Sequence, residues 1–217
     1  MRKIFSVSAI IALSALLVAC FSTYDEIEDS VWIDDSEISG LPAYTECGYN
    51  TFGARYFGSS FFFSRNKDKP GYFIWRNDSL TFTLNGFLED HDVIVDQDEY
   101  AHSGYYRKMT LSIQFPCDTV KSFEELMCLD QKTIDLTDSV NKVYVYIMDF
   151  YNRTRIYPNS GTFDFKRVQR LFLDDKAEAM IVSGTFDVLS DVGGRILTLK
   201  DGRFDIGIKE ECFLYIK

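Results

Sequence analysis

Met109-Thr110-Leu111-Ser112-Ile113-Gln114-Phe115 decides the fold. Met109, Leu111, Ile113 and Phe115 alternate with Thr110, Ser112 and Gln114, and only a β-strand, whose side chains leave opposite faces in turn, turns that period of two into one apolar face. Leu80, Phe82 and Leu84 alternate with Ser79, Thr81 and Thr83 in the same way. From Val143 to Met148 both alternating sets are apolar or aromatic, which predicts a central strand covered on both faces. Further strands fit Thr51–Phe57, Gly71–Trp75, Thr162–Val168, Ala179–Leu189, Arg195–Lys200 and Arg203–Ile208. One short helix is expected, because Ser122-Phe123-Glu124-Glu125 reads as a capping box opening a turn or two to about Cys128. With 19 Phe and 13 Tyr against 4 Pro, the composition also favours strands. The expected fold is all-β: a single antiparallel β-sandwich or related barrel over residues 41–217.

Gly161-Thr162-Phe163-Asp164, Gly184-Thr185-Phe186-Asp187 and Gly202-Arg203-Phe204-Asp205 repeat one Gly-x-Phe-Asp frame. Three copies of a ligand loop would be one reading. The preferred one is geometric: glycine relieves a bulge or a close backbone approach, each Phe enters the core and each Asp faces water.

The amino-terminal end is built differently. Arg2 and Lys3 precede an apolar run from Ile4 to Ala19, broken only by Ser6, Ser8 and Ser14, which is the layout of an export signal. As a helix the run would reach ~24 Å, short of the ~30 Å hydrocarbon core, and no basic stop-transfer cluster follows. Residues 1–19 are therefore expected to be a signal peptide. Leu17-Val18-Ala19-Cys20 resembles the lipobox of bacterial lipoproteins, which implies cleavage before Cys20 and lipid on its sulfur. Each buried methylene of such a lipid contributes about 0.8 kcal/mol, so two or three chains anchor stably without a transmembrane helix.

Residues 20–40 carry Asp25, Glu26, Glu28, Asp29, Asp34, Asp35 and Glu37 among few apolar residues, which predicts a flexible acidic tether. Acids after a lipidated cysteine resemble the surface-export signal of Bacteroidota-type lipoproteins, and position 21 is Phe rather than the Asp that resembles inner-membrane retention. The expected location is the outer membrane, lipid-anchored, with the cell surface as one of its two possible faces. The formal net charge of −10 becomes still more negative once Arg2 and Lys3 leave, so no nucleic-acid partner is expected.

Thr45-Glu46-Cys47-Gly48-Tyr49-Asn50-Thr51-Phe52-Gly53-Ala54, with Ser183-Gly184-Thr185-Phe186-Asp187 and Asp201-Gly202-Arg203-Phe204-Asp205, resembles a family of Bacteroidota envelope lipoproteins with no established activity. The resemblance implies a small β-rich lipoprotein and carries over no functional residues.

Beyond Cys20, the cysteines Cys47, Cys117, Cys128 and Cys212 make an even set, which in an exported protein permits two disulfides. Cys117 with Cys128 and Cys47 with Cys212 is the favoured pairing, against four free thiols. Asp90-His91-Asp92, Asp96, Asp98, Glu99 and His102 gather carboxylates and imidazoles. His91, Asp96, Asp98 and His102 are weak candidates for a divalent cation site, weighed against a solvated acidic loop that fits no EF-hand spacing. No cofactor is expected. Phe61-Phe62-Phe63 and Tyr72, Phe73 and Trp75 offer rings for sugars or, more commonly, for a core. Asp78-Ser79-Leu80, Asp118-Thr119-Val120 and Asp138-Ser139-Val140 resemble the Bacteroidota O-glycosylation site at Ser79, Thr119 and Ser139.

G-x-S-x-G, H-E-x-x-H and phosphate-loop motifs are absent from the sequence. The expected function is thus a non-catalytic binding or accessory module, anchored to the membrane by lipid and taking a glycan or an envelope protein. The alternative is a hydrolase of envelope or dietary polysaccharide.

Overall fold

The structure is a computed structural model, and it describes residues 30–63, 70–89, 106–147, 154–173, 176–192 and 195–216. The strands are β1 (Thr51–Tyr56), β2 (Ser59–Phe63), β3 (Gly71–Arg76), β4 (Ser79–Glu89), β5 (Tyr106–Pro116) and β6 (Thr133–Asp135). They continue with β7 (Lys142–Ile147), β8 (Thr154–Ile156), β9 (Pro158–Leu173), β10 (Lys176–Val192), β11 (Arg195–Ile208) and β12 (Phe213–Ile216). All belong to one sheet, ordered β6-β9-β10-β11-β1-β2-β4-β5-β7-β8, with β3 beside β4 and β12 beside β3. The sheet curls into a half-barrel, so the all-β expectation holds and the barrel-like alternative describes the architecture. One pair departs from the antiparallel rule: β12 runs parallel to β3, with Phe213 opposite Phe73.

The interior is filled with rings from facing walls. Phe82 of β4 meets Phe163 of β9 at 5.8 Å and Phe204 of β11 at 5.5 Å between centroids, and Phe115 of β5 meets Phe165 of β9 at 6.0 Å. The link from β5 to β7 does not take the short route between these neighbours. Instead residues 117–141 reach β9 near the far end of the sheet, pair there as β6, and bring Val120, Leu126, Leu129 and Leu136 into the core. That path spans the open side of the half-barrel. The expected helix is a 3-10 turn at Glu124–Leu129, whose Glu125 carboxylate accepts the Lys121 and Ser122 N–H groups at 2.6 and 3.1 Å, which is half of the capping box.

The Gly-x-Phe-Asp repeats lie on adjacent strands. Phe163, Phe186 and Phe204 are fully buried, with Phe163 stacked on Phe186 and Phe204 at 5.5 and 5.0 Å. A Cβ on Gly184 would lie 1.9 Å from the Asp164 carbonyl oxygen and 2.5 Å from the Phe204 ring, so only glycine leaves room for that ring. The geometric reading needs one correction: Asp164 and Asp187 stay at the surface, but Asp205 is buried. Desolvation, with the Asp201 and Asp164 carboxylates adding to it, lifts the Asp187 carboxyl above its ordinary range against the pull of the Asp201 N–H and Lys200.

Arg195–Lys200 and Arg203–Ile208 are one strand rather than two. Lys200 and Asp201 stand opposite the single Asp187 of β10, a β-bulge with Asp201 at φ 55° and its N–H bonded to the Asp187 carboxylate at 2.9 Å.

Candidate functional site

Two outer faces of the half-barrel have different fates. On β10, β11 and β1 the outward Ser183, Asp205 and Thr51 are buried, because residues 30–50 cross over them. Asp205 accepts the N–H groups of Cys47, Gly48 and Tyr49 at 3.1, 2.7 and 3.2 Å, the Ser183 hydroxyl at 2.7 Å and the Thr45 hydroxyl. The three sequence pieces that carry the family resemblance thus meet at one carboxylate. Val31 donates to the Tyr49 carbonyl at 2.9 Å, Trp32 packs edge-on against Phe62 at 5.7 Å, and Asp35 pairs with Arg203. Asp35 also accepts the Glu37 and Ile38 N–H groups at 2.7 and 2.8 Å; these bonds, then Arg203, hold its carboxyl below the ordinary range despite partial desolvation.

The tether expectation is therefore corrected for residues 30–40. Acidity misled there, because Asp35 caps a turn and pairs with an arginine instead of facing water. A Cβ on Gly53 would fall 2.5 Å from Pro42, which shows how closely this segment lies on β1.

The other outer face, on β3, β4, β5 and β7, holds a cleft of about 440 Å³. Tyr72, Thr83, Ser112 and Tyr144 stand in one cross-strand row, followed by Arg155 on β8. Asn85, Thr110 and Tyr146 form the row beside it, and Ile74, Thr81, Gln114 and Lys142 the row on the other side. The cleft follows from side-chain size: the two middle strands present Thr81, Thr83, Thr110 and Ser112, while the flanking strands present tyrosines. With strands about 4.8 Å apart, Tyr72 and Tyr144 rise roughly 14 Å from each other across a floor of hydroxyls. Thr83 and Ser112 are buried in that floor and hydrogen bonded to each other at 3.0 Å. The Thr110 hydroxyl donates to the Asn85 side-chain Oδ1 at 3.1 Å. Arg76 and Ile216 complete the lining at one end.

None of the described lining residues carries a carboxylate, imidazole or thiol. The groups available are ring faces, hydroxyls, an amide and a guanidinium, which can stack on and hydrogen bond with a ligand.

The residues singled out in the sequence scatter. Phe61, Phe63, Phe73 and Trp75 are core residues, Phe62 backs the amino-terminal segment, and only Tyr72 of that group reaches the cleft. Trp75 gives its indole N–H to the Cys117 carbonyl at 3.2 Å. Cys47, Cys117, Cys128 and Cys212 are free thiols, Cys117 and Cys212 buried and Cys47 and Cys128 exposed. Thr119 and Ser139 are exposed in loops, whereas Ser79 is half-buried at the start of β4. Cys20, His91, Asp96, Asp98 and His102 lie outside the described residues. Among the described residues no group of His, Cys, Asp and Glu could hold a metal ion, and no helix is long and apolar enough to cross a membrane.

Sequence reading missed Tyr144 and Tyr146 as site residues. It placed β7 in the centre with both faces covered, yet in β7 Val143 and Val145 are buried while Tyr144 and Tyr146 are not, and among the described residues the three-residue β8 is the strand beyond it. Tyrosines counted as apolar produced that error; their phenol groups mark a face that meets water.

No protein family, curated protein or solved structure matches this chain.

Proposed function

We propose that this chain is a cell-envelope lipoprotein, held at the outer membrane by lipid on Cys20, whose β-body is a non-catalytic module that binds a glycan in the tyrosine-walled cleft. The cleft carries this reading. Sugar rings present an apolar face that packs on an aromatic ring and equatorial hydroxyls that exchange hydrogen bonds with polar side chains, and the cleft offers both, in Tyr72 and Tyr144 and in the partly exposed Thr81, Thr110 and Gln114. The lipobox-like Leu17-Val18-Ala19-Cys20 and the envelope-lipoprotein resemblance support the location. A hydrolase would need two carboxyl groups facing each other across a scissile bond, and the described lining of the cleft provides none.

Two experiments test the two halves. Cys20→Ala should abolish palmitate incorporation and release the protein from the membrane fraction; retention in the membrane would refute the anchor. Tyr144→Ala should reduce retention on immobilised polysaccharides by about tenfold or more, the effect of losing one stacking ring worth about 1.5 kcal/mol, with an unchanged circular dichroism spectrum. Undiminished retention would remove the cleft from the account.

A further inference from the structure

Between the Ser79 row and the Phe87 row the charged outward positions around the cleft share one sign, with Glu89 standing one row beyond. Arg76, Lys108, Lys142 and Arg155 stand in register with Ser79, Phe87, Gln114 and Tyr144 on the same face. Between the Arg76 row and the Lys108 row no outward position of β3, β4, β5 or β7 is Asp or Glu. In a chain of formal net charge −10, this face is locally basic. The cations come from four strands and are separated by up to eighty residues, so neither the total charge nor any run of sequence reveals them.

Among the described residues the Arg76 side chain makes no hydrogen bond or ion pair, and the buried Nε of Arg155 has no hydrogen-bond partner, its guanidinium lying over the Tyr157 ring at 4.8 Å. The exposed Arg76 guanidinium keeps donor capacity that a carboxylate or sulfate would use.

Along the strands the basic face is long. From the Ser79 row to the Phe87 row is eight residues, or about 27 Å at 3.4 Å per residue, more than a single sugar covers.

We infer that the ligand is an acidic polysaccharide, a chain of sugars bearing carboxylate or sulfate groups, whose rings pack on Tyr72 and Tyr144 while its charges meet Arg76, Lys142 and Arg155. This rests on the reading of the cleft as a glycan site. Charge spacing favours this polymer over nucleic acid. A duplex carries one charge per about 1.7 Å and needs a dense cationic track, whereas an acidic polysaccharide carries about one per ring, which suits cations set a strand or two apart. The hydroxyl floor adds partners that suit sugars.

The test uses the full lipidated protein in detergent with matched polymer pairs: polygalacturonate and its full methyl ester, dextran sulfate and dextran, and hyaluronate and its carboxyl-reduced form, with poly(dT) as a further polyanion. At low salt at least one anionic member should bind about tenfold more tightly than its neutral counterpart, and 0.5 M NaCl should abolish that preference. The Arg76→Gln/Lys142→Gln double variant should lose the preference, the anionic member weakening about tenfold relative to its neutral counterpart. Tyr144→Ala should weaken both members, and Lys121→Gln, off this face, should change neither. Equal affinity within every pair would overturn the acidic-ligand inference while leaving a glycan module. Tighter binding to poly(dT) than to any polysaccharide would overturn it in favour of nucleic acid. Binding to no polymer would remove both this inference and the glycan reading beneath it.

Discussion

The outer face over β10, β11 and β1 and the outer face over β3, β4, β5 and β7 are made from the same kind of strand, yet one is sealed and the other open. On the first, Asp205 and Ser183 are buried by the chain's own residues 30–50, and Asp205 has five donors. On the second, Thr83 and Ser112 are equally buried, but between walls of tyrosine with no segment of the described residues laid across them. The difference teaches where polar groups hold the fold together and where they await something else. A buried carboxylate without its donors is costly, so the sealed face is a stability element. Two hydroxyls that satisfy each other cost little, so the open face is free to serve binding.

The largest effect should come from breaking the sealed face at its centre. Asp205→Ala strands the donors of residues 45–49 and Ser183, and should cost about 4 kcal/mol, lowering the melting temperature by roughly 8–16 °C. Thermal unfolding checks this, and a fall of less than about 3 °C would mean that the amino-terminal segment is not held there. Gly184→Ala should follow at about 3 kcal/mol, since its new methyl would overlap the Asp164 carbonyl and the Phe204 ring. Chemical denaturation of the two glycine variants sharpens the point, because Gly58→Ala meets nothing within 4 Å and should cost only the strain of φ +89°, about 1 kcal/mol.

Asp35 supplies a smaller, pH-dependent effect. Its folded carboxyl lies below the unfolded value of 3.8, so its contribution is present above that value and is lost as pH falls through the lower folded one. Asp35→Asn should therefore destabilise the protein at pH 7 and lose less stability than the wild type on acidification below pH about 4. Denaturation midpoints across that range give the comparison, and parallel acid profiles would show that neither the Glu37 and Ile38 N–H bonds nor Arg203 hold the Asp35 carboxylate. The smallest stability effect belongs to the open face: Tyr144→Ala should shift unfolding by under about 1 kcal/mol, even as it weakens polysaccharide binding.

Much of the fold was legible because burial on one side writes itself into alternate residues. Leu80, Phe82, Leu84, Met109, Leu111, Ile113 and Phe115 all face the core. The repeated Gly-x-Phe-Asp frame was legible for the same reason, since a glycine beneath a ring is a local need. What was not legible depended on contacts distant in sequence. Asp205 looked like its two surface counterparts, and only its meeting with residues 45–49, some 156 to 160 positions away, buries it. Asp35 looked solvated for want of Arg203, 168 positions on. The cleft was hidden twice over: its cations are dispersed among acids in the chain, and its tyrosines obey the same alternation as core residues.

Hydroxyl-radical footprinting of the full protein, with and without polygalacturonate or dextran sulfate, tests the contrast between the faces most directly. Tyr72, Tyr144 and Tyr146 should be oxidised in the free protein and protected by whichever acidic polymer binds, while Trp32 and Tyr44 on the amino-terminal segment stay unchanged. Protection of Trp32 and Tyr44 instead, with the cleft tyrosines unaffected, would contradict the account.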